Sequence, residues 1–320
     1  MSTVAAPRAA EALDRSGRPK PSAGPDDPRK GEAGPAWLFI APFGLFFVLF
    51  LVWPVVYMII TSLFNTSIVG QGFGSFAGFG NYAEMLGQSL FWESLWHTVY
   101  FTVITTVPLV ILSFALAVLA NRVRRAQWFF RLAFFVPFVL PSAAISLIWV
   151  YIYSPSTGLW NSIESWLGAA SPSPVLGTPN LVLIGIAVTT IWWTIGFNFV
   201  LYLAGLQDIP REIYEAAAVD GASEWQQIRS ISIPLLRRTT TVVVLLQIIA
   251  SLKIFDQVYL MSQGGPGTSS QVVLTLVADT AFTNYRVGAG SAASVLLLIV
   301  ILAVTVVRQL VERAQQRKEA

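Results

Sequence analysis

Polar and apolar residues fall along this chain in long separate blocks. After a polar stretch, apolar runs occupy Trp37–Phe64, His97–Ala120, Trp128–Tyr153, Leu181–Leu206, Thr239–Met261 and Val287–Val307. Each is long enough for the roughly 20 helical residues that cross a hydrocarbon core about 30 Å thick. Barrel strands are shorter and alternate apolar with polar, whereas these runs are continuous. In lipid a lone segment must satisfy its own backbone groups, which a helix does and an open strand does not. The pattern therefore predicts an all-α polytopic membrane protein with six transmembrane helices.

Positive charge orients them, because short cytoplasmic segments carry the excess of Lys and Arg. The first 35 residues hold Arg8, Arg15, Arg18, Lys20, Arg29 and Lys30, while Asn65 to Trp96 holds none. Arg122, Arg124, Arg125 and Arg131 bracket the next turn, Ser154 to Asn180 is again free of them, and Arg211, Arg229, Arg237 and Arg238 follow span four. With Arg308, Arg313, Arg317 and Lys318 at the far end, the reading puts both termini in the cytoplasm. Arg286, just before span six, is the outside exception. Residues 1–35, rich in Pro, Ala, Gly and charge, read as a disordered cytoplasmic tail. Their apolar continuation is too late and too long for a cleavable signal. The remaining plan is a permeation domain over 36–310, with its core at 93–308 and a cytosolic loop at 208–237, then a short tail over 311–320.

Composition sharpens this picture. The chain is 55% hydrophobic and 12% charged, against about a quarter charged in soluble domains, so it lacks the polar surface to cover itself. No cysteine and a single histidine, His97, leave no thiol chemistry and no metal-ligand cluster. A net charge of +3, dispersed at helix ends, gives no nucleic-acid footprint. The four lysines are followed by Pro, Gly, Ile and Glu, so no phosphate-gripping Gly-rich loop ending in Lys-Ser or Lys-Thr is present. No paired catalytic carboxylates or nucleophile elbow points to an enzyme.

The loop after span four carries the most information. Pro210 sits where a first helical turn accepts it, good helix formers follow, and Gly221 stops the run. Trp225, Ile228 and Ile231 then recur every three residues, which predicts a shared helical face until Pro234 ends the element. On pattern alone, helix, turn and helix read first as an amphipathic element on lipid headgroups, with a docking surface as the alternative.

Glu215-Ala216-Ala217, Asp220-Gly221-Ala222, Ile231 and Pro234 match, spacing for spacing, the EAA loop of binding-protein-dependent ABC importer permeases, which this segment resembles. Ile228 stands where that family usually has Phe, and Ile233 where it has Leu. Further on, Ser251-Leu-Lys-Ile-Phe-Asp-Gln-Val-Tyr-Leu-Met-Ser-Gln-Gly-Gly-Pro-Gly resembles the signature of the maltose-type permease half, with Ser262 for the usual Thr. Pro42, Trp53-Pro54, Pro137, Pro141, Trp149, Gly158 and Asn161 fall in the order of the same carbohydrate-uptake class.

The resemblance implies a type I ABC importer permease fold and transport of a sugar or sugar derivative. It implies a second homologous permease, two ABC ATPase subunits that bind ATP and magnesium, and an extracytoplasmic solute-binding protein as partners. No cofactor is expected in this chain. Coupling to the ATPase would fall to Glu215, Ala216, Ala217, Asp220, Gly221, Ala222, Ile228, Ile231 and Pro234.

Lys253 and Asp256 are charges inside span five, and intramembrane charges are costly and face protein or water. At a spacing of three they read as sharing a helix face, either neutralising each other or meeting the partner subunit or substrate. Trp193 and Asn198, with Trp192, are the other candidates for the translocation path, and His97 reads as an outer-surface residue opening span two. A rival reading is an ion-coupled secondary carrier that titrates Lys253 and Asp256. Another is a scaffolding membrane protein with no transport.

Overall fold

The computed structural model describes residues 33–123, 127–168 and 173–319, with side chains given for 39–123, 127–168 and 173–310. Most of the expected N-terminal tail, Arg124 and Arg125, and the side chains of Arg313, Arg317 and Lys318 lie outside it. The chain divides into two units, 1–57 and 58–320. Helix α1 starts in the first, over Ala33–Phe47 and a π turn at Val48–Val52, and continues as Trp53–Thr61, whose last four residues belong to the second. Phe43, Phe46, Phe50 and Trp53 are exposed along it, as suits a helix whose solvent is hydrocarbon.

The second unit is built from α2 (Gly80–Gly87), α3 (Ser89–Arg122), α4 (Gln127–Val139), α5 (Ser142–Ile152) and α6 (Leu159–Trp166). There follow α7 (Val182–Gln207), α8 (Arg211–Val219) and α9 (Glu224–Gln227, continuing through a π turn to Ile233–Leu235). The last are α10 (Arg237–Leu252), α11 (Asp256–Met261), α12 (Val273–Ala278) and α13 (Val287–Glu319). Among the described residues every regular element is helical, apart from one isolated bridge between Phe64 and Phe76.

Helix α7 is the hub, packed into a core cluster at each end while Ile184, Val188 and Trp192 remain exposed. Val182, Ile186 and Ala187 at one end pack with Phe101, Tyr153, Val258 and Met261. Phe199, Tyr202, Leu203 and Leu206 at the other pack with Ala117, Ala120, Leu236 and Val243. At Gly196 the backbone of α4 comes so close that an added Cβ would lie 1.9 Å from the Phe134 carbonyl oxygen. Small residues at such crossings let spans pack where the hydrophobic effect offers no drive between helices.

Among the described residues four helices are long and apolar enough to cross a membrane uninterrupted, and the count reaches six if each bent pair is one span. The third and fifth expected spans are broken. Helices α4 and α5 meet at 95°, because Pro141 brings no N–H and forces Leu140 out of the helical region. Helices α10 and α11 are separated at Lys253–Phe255, where Phe255 has φ −141° and ψ −64°. Lys253 and Asp256 therefore do not share one helical face, and among the described residues no ion pair joins them.

Two further expectations are corrected. Pro234 does not end the loop's second helix, which continues to Leu235 and bends by 66° into α10. The π turn over Ile228–Ser232 precedes it, and its wider winding leaves room for a ring that an α turn would press against the carbonyl four residues back. His97 lies two turns inside α3, which starts at Ser89, and its Nδ1 is 3.0 Å from the Gln271 carbonyl oxygen. After the Gly264–Gly267 stretch, α12 buries Val273 and Leu276 against Phe91 of α3 and Leu297 of α13. At 11 residues, Val273–Thr283 is too short to span and left no transmembrane signature.

Arg286, the outside exception in the charge pattern, has a structural cause. Its guanidinium holds the Glu84 carboxylate with both arms, at 2.6 and 2.5 Å, tying α2 to the start of α13. That hydrogen-bonded pairing lowers the Glu84 pKa from its ordinary carboxylate value. A lowered folded pKa makes this clamp fully stabilising above the usual carboxylate range and lost as pH falls through the lowered value. Hydrogen exchange at α2 should accelerate in that acid window in the wild type and show no such step in Glu84→Gln. An identical pH profile in both would remove the clamp from the account. Both side chains are partly exposed, so the stabilisation is at most about 1 kcal/mol.

Candidate functional site

The segment 208–237 folds as a hairpin of short helices. Pro210, with φ −58° and ψ 137°, precedes the first residue of α8. At the far end Gly221 has φ +82°. Its N–H donates to the Ala218 carbonyl at 3.1 Å, and the Ala222 N–H donates to the Ala217 carbonyl at 2.9 Å. These are the paired bonds of a Schellman stop, which needs a left-handed residue at the glycine position. The chain restarts at once: the Ser223 side chain accepts from the Gln226 N–H at 3.4 Å, and the Gln226 side chain accepts from the Ser223 N–H at 2.7 Å. Such a capping box fixes the start of α9.

Two contacts fasten the hairpin to the spans, and one ties its arms together. Arg122 at the end of α3 donates to Glu224 at 2.5 Å. The Tyr214 and Ser232 hydroxyls meet at 2.9 Å between the two arms. Tyr214 and Ile231 pack on the cluster of Leu203, Leu206, Leu236 and Val243. A cleft of about 560 Å³ opens beside the hairpin, lined by Asn121, Gln127, Gln207, Arg211 and Glu215 among others.

The tip faces outward. Glu215, Ala216, Asp220, Gly221 and Pro234 are exposed, while Ala217, Ala222, Ile228 and Ile231 are half-buried. Val219 at 88% and Trp225 at 67% exposure are large apolar groups on this tip. The expected Trp225–Ile228–Ile231 face therefore divides, Trp225 pointing away and Ile231 inward. A three-residue step falls about 60° short of a helical turn, so two steps already separate the ends of such a series.

In the membrane-spanning part, the two helix breaks meet. Ser142 Oγ at the start of α5 donates to Asp256 Oδ2 at the start of α11, at 2.7 Å. Trp193 Nε1 on α7 donates to the Leu140 carbonyl, left by the α4–α5 break, at 3.2 Å. Lys253 and Asp256 are exposed, whereas Asn198 is 1% exposed and bonds the Thr194 carbonyl of its own helix. Asn198 is thus interior, and Trp193, Lys253 and Asp256 are the accessible candidates. Sequence reasoning passed over a buried polar seam: Thr105 Oγ lies 3.1 Å from Ser251 Oγ, Gln247 donates to Ser251, and Thr190 donates to Gln257. The signal was legible in the Thr98–Thr102 and Thr190–Thr194 pairs, which recur at one helical turn.

A helical bundle with two broken spans and an outward-facing hairpin is the architecture of a membrane transport component. Residues 110–318 match the family of binding-protein-dependent transport system inner membrane components, and the chain belongs to that family. The sulfoquinovosyl glycerol transport system permease protein SmoG of Agrobacterium fabrum is 35% identical over 272 residues, 85% of this chain and 88% of that protein. The trehalose/maltose transport system permease protein MalF of Thermococcus litoralis is 35% identical over 235 residues, 72% of this chain and 78% of that one. In fold the chain is similar to a component of a bacterial alginate ABC transporter solved with an alginate pentasaccharide-bound periplasmic protein. There the TM-score is 0.76 at 21% identity, covering 86% of this chain and 92% of that one. These relatives lend nothing to an ion-coupled carrier.

Proposed function

We propose that this chain is the maltose-type permease half of an ATP-driven importer for a sugar or sugar derivative. A second homologous permease would complete the path, two ATPase subunits would bind Mg-ATP, and an extracytoplasmic binding protein would deliver the substrate. The observation that carries this reading is the hairpin over 208–237, fixed at its base and bare at its tip. A rigid hairpin with exposed Val219, Trp225 and Ala216 and flanking carboxylates Glu215 and Asp220 suits a cleft with apolar and basic walls.

Movement of the tip would reach the spans through Arg122–Glu224 and through Tyr214 and Ile231, which pack on the α7 and α10 cluster. The junction of broken helices at Ser142 and Asp256 supplies non-helical backbone at depth, which membranes tolerate where it lines a cavity. ATP-driven closure of the partners favours one of two arrangements of these helices, and differential binding of the two states turns hydrolysis into alternating access. In this orientation both termini and the hairpin are cytoplasmic.

Reconstitution decides the matter. The assembled complex should take up sugar into proteoliposomes only with ATP, binding protein and both ATPase subunits. Accumulation by this chain alone on a proton or sodium gradient would sink the reading. Asp256→Asn in the complex should change the substrate KM or the transport rate at least severalfold with ATPase assembly intact. An unaltered uptake curve would remove Asp256 from the path.

A further inference from the structure

In α6 and the residue after it, Leu159, Trp160, Ile163, Trp166 and Leu167 fall within about 120° of a helical wheel turning about 100° per residue. Asn161, Ser162, Glu164 and Ser165 fill the other side. In a soluble domain such a stripe faces the core. Here it faces out, with Trp166 86%, Leu167 71% and Leu159 59% exposed. The polar side is engaged within its own segment, Glu164 accepting from the Ser173 N–H at 2.8 Å and the Asn161 amide donating to the Ser156 carbonyl at 3.4 Å.

The span before it fixes where this helix lies. Gly158, its N-cap, donates its N–H to the Ser154 carbonyl at 2.9 Å, and an added Cβ there would run into the Ile152 and Ser154 carbonyl oxygens. Trp160 meets the buried Tyr153 edge to face at 6.4 Å. Helix α6 therefore starts against the end of α5, where the third span leaves the hydrocarbon. The exposed apolar surface of α5, at Leu147, Ile148 and Tyr151, runs up to the same turn.

We infer that α6 is an interface anchor, lying on the membrane surface at which α5 ends, with Leu159, Ile163, Trp166 and Leu167 set between headgroups and acyl chains and Glu164 toward water. Its occupant is the bilayer and not a soluble partner, because the apolar face continues the exposed surface of a membrane-spanning helix. Tryptophan, apolar in body with one N–H, suits that depth. Glu164 is the sole charge from Ser154 to Asn180, so burial of apolar side chains holds the helix and acidic headgroups are not required. Anchored there, α6 keeps one end of α5 at a fixed depth while the other end, at Ser142, meets Asp256.

The test uses the full chain in phosphatidylcholine nanodiscs, with nitroxides on single introduced cysteines, since the chain has none of its own. At Ile163→Cys, oxygen should relax the label severalfold more effectively than a water-soluble nickel complex, at a depth of about 5–10 Å below the headgroups. At Ser165→Cys, across the helix, the preference should reverse. Ile163→Glu/Trp166→Glu should lift the helix, so that a label at Leu159→Cys turns from oxygen to nickel while the thermal midpoint holds. A nickel-accessible label at position 163 would mean a face left to water or a soluble partner, and one closed to both reagents would mean that a second copy of the chain covers it. Either result overturns the anchor, as does a label at position 159 that keeps its oxygen preference in the doubly charged variant.

Discussion

Replacing Gly221 with valine should abolish most ATP-driven uptake by the assembled complex while leaving membrane insertion intact. Gly221 sits at φ +82°, and no atom lies within 4 Å of where its Cβ would be. The penalty is therefore conformational and not steric crowding by neighbours. A left-handed backbone costs an L-residue about 1–2 kcal/mol, and a β-branched side chain stands at the upper end because its χ1 is restricted as well. That shifts the population of the correctly turned hairpin by about tenfold. The Schellman bonds at Ala217 and Ala218 and the capping box at Ser223 lie on either side of this residue. Losing the turn therefore re-aims both arms and the exposed Val219 and Trp225 between them. Gly221→Asn should recover much of the activity, since asparagine enters the left-handed region readily. The comparison is made on substrate-stimulated ATPase activity and on the ATPase subunit recovered with the purified chain. Equal uptake and recovery for the glycine and valine forms would refute this account of the turn.

The second large effect is expected at Gly196, and there the cause is steric. An alanine Cβ would lie 1.9 Å from the Phe134 carbonyl oxygen and 2.9 Å from the Phe135 Cα. Backbone atoms cannot swing aside, so α4 must move off α7 as a unit. Overpacking of this kind costs about 1–3 kcal/mol and occasionally more, and the tilted ring contact of Phe134 with Phe199 nearby would loosen with it. Gly196→Ala should lower the thermal midpoint of the detergent-solubilised protein by several degrees, and Gly196→Leu should prevent recovery of folded protein. Because the Trp193 to Leu140 bond spans the same pair of helices, the alanine form should also change transport. An unshifted midpoint in Gly196→Ala would mean that the crossing is looser than described.

These two glycines mark the division between what was legible and what was not. Gly221 could be read from the sequence, because a helix stop is local: good helix formers, a glycine, then a Ser-x-x-Gln restart all lie within a dozen residues. Gly196 could not, since the atom that excludes a side chain there belongs to a helix some sixty residues away in the chain. The same contrast separates the charges. Arg286 looked like an exception to the positive-inside pattern until Glu84, far off in sequence, was found to hold it. Lys253 and Asp256 looked like one helical face, but the helix breaks between them and Asp256 turns to Ser142 on another element.

The sequence by itself determined the six apolar runs, their helical nature and the loop with its Pro210 start and Gly221 stop. These follow from the cost of unsatisfied backbone in hydrocarbon and from local dihedral preferences, neither of which needs a distant partner. Only the tertiary structure decided where the fifth run breaks, which polar groups are interior, as Asn198 is, and how the hairpin is fastened by Arg122 and Tyr214. Those outcomes depend on contacts between residues a hundred positions apart, and a periodic pattern along one helix carries no record of what packs against it.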